Sequence, residues 1–153
     1  MKTKITTLSS ALTMVFAAVV ACMMFASCSS DPEEREVSYT LGDVTSNAAG
    51  VTTIGQSSYT IHYEGELDYD AGFLLSTSSD FNQNNTLRLK MTSSKHKASN
   101  HESSTGTKWD NIKFTHTFPT GTTVYYTVYV KFYDETEYRH GPVKTFVAQG
   151  NEN

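Results

Sequence analysis

Cysteine is nearly absent from this chain of 153 residues: Cys22 and Cys28 are the only two, and both lie at the start. If cleavage falls just before Cys28, no disulfide can form inside what remains, and the core must hold by packing alone. Helical patterning is missing too. No stretch past residue 30 repeats apolar residues at helical spacing for three turns, and none repeats internally. Leu and Ala are scarce after residue 50, whereas Tyr, Phe, Thr and Val are plentiful, which is the composition of strands. Basic residues are few. From Cys28 onward ten Lys and Arg face sixteen Asp and Glu, a net charge of −6. Nucleic acid and anionic membrane surfaces reward clustered cations, so neither is an expected partner. There is also no nucleophile elbow and no glycine-rich phosphate loop. The expectation is no enzyme, no catalytic residue and no cofactor.

A long apolar run is present once, at the beginning. Met1-Lys2-Thr3-Lys4 is positive, no charge occurs from Ile5 to Phe25, and Met14 to Ala21 is wholly apolar. Small residues, Ala26-Ser27, precede Cys28. A positive start, an apolar middle and small residues before a cut describe a secretory signal over residues 1–27. A membrane-spanning helix competes, since about 20 apolar residues cross a bilayer. Thr6, Thr7, Ser9, Ser10 and Thr13 dilute this run and an acidic segment follows it, so the signal is preferred.

Phe25-Ala26-Ser27-Cys28 resembles a lipobox, with Phe25 where Leu is usual. Val19-Val20-Ala21-Cys22 fits that local pattern more closely, but a cut there would bisect the apolar run. Cys28 is therefore the expected lipidation site. Ser29-Ser30-Asp31-Pro32-Glu33-Glu34 is similar to the acidic tether that sends some lipoproteins of Gram-negative anaerobes to the cell surface. Two or more acyl chains hold a protein stably on a membrane without a spanning helix. The resemblance implies a lipid-anchored protein of the outer membrane, facing the cell surface or, alternatively, the periplasm, with residues 28–36 as a flexible tether.

Seven strands are predicted from period-two alternation. They are 37–41, 59–67, 73–75, 87–91, 112–118, 124–132 and 138–147, with a short continuation near 51–54. Turns are expected at Asp68-Tyr69-Asp70 and Asn82 to Asn85, and a long polar loop over 92–108. Gly141-Pro142 breaks the last strand, because proline cannot donate to a ladder. The expected fold class is all-β, a seven-stranded antiparallel sandwich over residues 37–148 with a disordered tail at 149–153. A small barrel is the competing closure.

Phe118-Pro119-Thr120-Gly121-Thr122-Thr123-Val124-Tyr125-Tyr126-Thr127-Val128-Tyr129-Val130 resembles the turn and sixth strand of fibronectin type III-like domains. Tyr138 to Phe146 is similar to their last strand, and Ala71 to Ser76 to their third. The family places a tyrosine at the corner before the sixth strand, its hydroxyl tied to backbone; Val124 or Tyr126 holds that place here. The resemblance implies a spacer, adhesion or accessory module and no catalysis.

Several residues are candidates for binding. If Tyr126, Val128 and Val130 face the core, Tyr125, Tyr129 and Tyr133 face outward, with residues four apart about 13 Å apart on one face. Flat exposed rings at that spacing suit stacking on a sugar or a protein partner. They are equally ordinary on an exposed strand. Trp109, the only tryptophan, is a candidate ligand contact and also a natural core anchor. Glu64, Glu66, Asp68 and Asp70 share parity with His62, but most of a calcium loop is missing. His96 and His101, five apart in a polar segment, match no known metal spacing. No metal site is assigned. The expected function is a lipid-anchored binding or adhesion module for a glycan or protein partner. The alternative is a structural spacer or assembly subunit.

Overall fold

A computed structural model describes residues 35–81, 85–97 and 102–150, all within one unit, Glu33–Asn153. The leader, Cys22, Cys28 and most of the tether lie outside the described residues. Eleven strands run in chain order: β1 Glu36–Thr40, β2 Val44–Ser46, β3 Val51–Ile54, β4 Ser57–Tyr63, β5 Glu66–Ser76 and β6 Thr86–Lys97. They continue with β7 Ser103–Trp109, β8 Ile112–Thr115, β9 Thr123–Phe132, β10 Arg139–His140 and β11 Lys144–Val147. Among the described residues there is no helix.

One layer consists of three strands bent at a common level. β1, β4 and β7 pair antiparallel in that order, and so do β2, β3 and β8. β2 follows β1, β3 precedes β4, and β8 follows β7, so each short strand prolongs a strand of the first set. The three bends fall at Leu41 to Asp43, at Gly55-Gln56 and at Asp110-Asn111. The chains touch there: a Cβ on Gly42 would lie 2.5 Å from the Gly55 carbonyl carbon, so only glycine fits. The Gly42 N–H donates to Ser57 Oγ at 3.0 Å, and the Gly55 N–H donates to the Asp43 carbonyl at 2.8 Å. Tyr126, from the opposite layer, donates its hydroxyl to the Gly42 carbonyl at 2.9 Å. Burial pushes the Tyr126 hydroxyl up to about 12, so it keeps its proton at neutral pH.

The second layer has the order β10-β9-β5-β6, with β11 also on β9. β5 pairs with β6 through a bulge. Ala71 faces Thr92 and Gly72 faces Lys90, leaving Met91 as the extra residue. A Cβ on Gly72 would lie 1.9 Å from the Leu89 carbonyl oxygen, so the bulge requires glycine. Alternation then aims Leu67, Tyr69, Ala71, Phe73 and Leu75 of β5 at the core, with Val124, Tyr126, Val128, Val130 and Phe132 of β9. Tyr59, Ile61 and Tyr63 of β4 and Trp109 of β7 meet them from the other layer. The result is a two-layer sandwich, whose core is closed by apolar burial and a few paired hydroxyls, such as Tyr59 to Tyr69 at 3.1 Å.

The all-β sandwich expected from the alternation is present, with eleven strands in place of seven. β2 and β7 form in stretches read as loop, β3 is the short continuation near 51–54, and the strand expected at 138–147 is broken into β10 and β11. Asp68-Tyr69-Asp70 is strand and not turn, because Leu67 and Tyr69 both point into the core. The chain turns at Glu64-Gly65 instead, where it crosses from one layer to the other and Gly65 has φ 77°. Most of the polar stretch 92–108 is also strand. Thr92, Ser94 and His96 of β6 and Thr105 and Thr107 of β7 are half-buried, and His96 Nε2 lies 3.4 Å from Thr105 Oγ1 across the sandwich edge. Polarity misleads there because both strands lie at sheet edges. At the N-terminal boundary, Arg35 pairs with Asp134 at 2.7 Å and Glu36 opens β1, so both belong to the domain and not to the tether. At the C-terminal end, Gly150 sits tightly against Ala48 and Gly50; residues 151–153 lie outside the described residues.

Tyr126→Phe leaves the half-buried Gly42 carbonyl without this donor. It is expected to lower stability by about 1–3 kcal/mol in urea unfolding, with native secondary structure retained. A loss below about 0.5 kcal/mol would show that the bend is held by other contacts.

Candidate functional site

The outward face of the five-stranded layer divides into two zones. At one end a row of carboxylates on β5 faces a row of lysines on β6. Glu66 pairs with Lys97 at 3.2 Å, Asp68 with Lys95 at 3.4 Å and Asp70 with Lys90 at 2.9 Å. The acidic series of alternate residues is thus one half of a cross-strand charge ladder, a sheet-stabilising arrangement. The first two pairs are exposed and contribute little. Asp70 differs, since its side chain is only 6% exposed and it also accepts the Tyr133 hydroxyl at 2.9 Å. Burial pushes the Asp70 carboxyl up, but hydrogen bonds from Lys90, Ser93 and Tyr133 outweigh it and hold the group below its ordinary range. Among the described residues no three His, Cys, Asp or Glu side chains come together as a metal site.

At the other end the face is aromatic. Tyr125 and Tyr129 do lie on the outward side of β9, with Tyr133 in the turn just past its end, but the three do not form an exposed stripe. Tyr133 is 57% exposed, Tyr125 is half-buried and Tyr129 is fully buried. Tyr129 is covered because the strand is central. Leu74 from the neighbouring strand, Phe81 and Tyr138 close over its ring, forming a small second core outside the sandwich. Tyr138 meets it edge-on at 5.2 Å. Trp109, the other candidate contact, is only 7% exposed and packs in the main core against Tyr59 at 5.3 Å and Phe73 at 5.2 Å. The structure therefore places Tyr129 and Trp109 as packing residues and leaves Tyr133 engaged with Asp70.

What the aromatic end forms is a groove of about 180 Å³ lined by Leu74, Phe81, Thr86, Arg88 and Tyr138. Arg88 is exposed and donates from Nη1 to the Tyr138 hydroxyl at 3.2 Å. It has no carboxylate in salt-bridge contact among the described residues. Lys131 places its ammonium 5.9 Å from the Tyr138 ring centre. Phe81 is held at φ +48°, an uncommon backbone for a bulky residue, with its ring 5.5 Å from His140. Tyr129 packs with Leu74, Phe81 and Tyr138. Its buried hydroxyl has no hydrogen-bond partner among the described residues. Burial pushes that hydroxyl up to about 12.

A second depression of about 240 Å³ lies at the charged end, lined by Arg35, Glu66, Leu67, Asp68, Lys95, Tyr133 and Asp134. Its charged groups already pair within the protein, leaving less for a ligand. His96, from the two-histidine segment, stacks on Tyr69 at 6.2 Å, and His101 lies outside the described residues. The groove residues escape sequence reading. Phe81 sits in a polar turn, and Tyr138 lies beyond the long strand. Alternation in Leu87-Arg88-Leu89-Lys90 does place Arg88 outward, and that was the available signal.

Because the folded-state Asp70 is held low, its contribution is present above the ordinary carboxylate range and lost as pH falls through the lowered value. Asp70→Asn is expected to cost about 1–3 kcal/mol at pH 7, discounted for the half-exposed Lys90. The gap to the parent protein should narrow from about pH 4 downward in melts run across pH. A pH-independent gap would assign the cost to packing. Compared with known proteins, the chain matches no protein-family model, and no curated protein and no solved structure shows significant similarity to it.

Proposed function

We propose that the chain is an exported lipoprotein, anchored through Cys28 in the outer membrane. Its fibronectin type III-like domain binds a glycan at the aromatic end of the five-stranded sheet. The observation that carries this reading is the groove itself. An aromatic ring, an exposed guanidinium and apolar walls converge on the face of a sheet, where the backbone is stiff. The order of pairing supports the fold assignment. β1-β4-β7 against β5-β9-β11 with β6 outside β5 is compatible with an immunoglobulin-like sandwich. The Tyr126 hydroxyl, tied to backbone, fits the family's tyrosine only in part, since it reaches Gly42 and not the adjoining turn.

The described chain enters the domain at Arg35, beside Asp134 and the charged end of the face. A second reading, an assembly subunit that accepts a partner strand, is favoured by the edge strand β11. Val147 there is 53% exposed, and Val143 just before it is 39% exposed.

Two experiments test these points. Metabolic labelling with palmitate in a Gram-negative host is expected to label the full chain and Cys22→Ser but not Cys28→Ser. Label retained by Cys28→Ser would move the anchor to another residue, and no label on the full chain would remove it. On a broad glycan array, the domain is expected to bind at least one structure, and Tyr138→Ala should abolish that binding with an unchanged circular dichroism spectrum. An empty array, with a partner protein lost on Val147→Lys, would favour the assembly reading.

A further inference from the structure

We infer that the sugar recognised in the groove is a carboxylated one, a uronic or sialic acid unit, held through Arg88. This rests on the glycan-binding reading and adds the ligand class. Around the groove the cations are placed unequally. Lys90 is taken by Asp70 at 2.9 Å, and Lys131 by the Glu135 carbonyl. Arg88 contacts the neutral Tyr138 hydroxyl and pairs with no carboxylate among the described residues, although acidic residues outnumber basic ones twelve to ten over residues 35–150. A guanidinium presents a planar fork that matches a carboxylate with two parallel hydrogen bonds. Arg88 and Tyr138 stand on the same wall, so a carboxylate on the fork brings its sugar ring beside the Tyr138 ring. The groove, at about 180 Å³, is smaller than the ~300–1,000 Å³ of sites for drug-sized ligands, so it admits one ring and not a chain laid lengthwise.

The test uses the methyl glycosides of glucuronate, galacturonate and N-acetylneuraminate, with glucose and galactose glycosides as neutral counterparts, titrated into the folded domain by calorimetry. At least one acidic sugar is expected to bind ten-fold or more tightly than its neutral counterpart. Arg88→Gln should erase the difference, and Arg88→Lys should restore part of it, since a lysine keeps the charge without the fork. Equal binding of acidic and neutral sugars, lost on Tyr138→Ala but not on Arg88→Gln, would overturn the inference and leave the glycan reading standing. No binding of either set would overturn it as well, and a simultaneously empty array would take the glycan reading with it.

Discussion

The hydrogen bond from Tyr126 to the Gly42 carbonyl joins the two layers where the fold is under most constraint. Three strands bend at one level, and a bend interrupts the ladder that would satisfy their backbone groups. At the bend Gly42 lies too close to Gly55 to carry a side chain, and the polar groups of the two glycines find partners in Ser57, Asp43 and Tyr126. Lys144 closes the same corner from β11, donating to the Leu41 carbonyl and pairing with Asp43. The bend keeps β2, β3 and β8 over the end of the core, where Ile54 is fully buried beside Val44, Ile112 and Phe114. With no disulfide available among the described residues, this network does the work of a staple. It ties chain segments 84 residues apart.

The outward face of the second layer shows how one sheet separates stabilisation from recognition. Its charged end is matched row by row across β5 and β6, so those groups satisfy each other and keep an exposed face soluble. Its aromatic end is overlaid by Phe81 and Tyr138, which bury Tyr129 yet leave a groove between them and Arg88. The bulge at Gly72 stands where the two zones meet, in the row of Tyr129 and Lys90. A bulge strengthens local twist, which turns the two ends of the face in different directions.

Much of the architecture was legible in the residues. Alternation in Val124 to Phe132 assigned the inward and outward sets of β9 correctly, and Gly141-Pro142 marked the break between β10 and β11. The edge strands were not legible. Thr92, Ser94, Thr105 and Thr107 carry no apolar contrast, and a strand made of Ser and Thr has the composition of a loop. The turn placed at Asp68-Tyr69-Asp70 failed for a related reason. Two aspartates at alternate positions look like a turn until Lys95 and Lys90 stand opposite them.

The face of a strand follows from periodicity alone, so the sequence by itself determined that Tyr125, Tyr129 and Tyr133 lie on the side away from the core. It also determined the lack of disulfide in the described domain and the strand-rich composition, since both are properties of residue types. Only the tertiary structure decided that Tyr129 is buried, Tyr133 bound to Asp70, and Trp109 a core side chain. It alone brought Leu74, Phe81, Arg88 and Tyr138 to one groove. Three of these lie on β5, β6 and the turn between them and Tyr138 comes fifty residues after Arg88, so their meeting depends on which strands pair and in what register. Pairing is a long-range choice, made by the total burial of both layers and not by any local pattern.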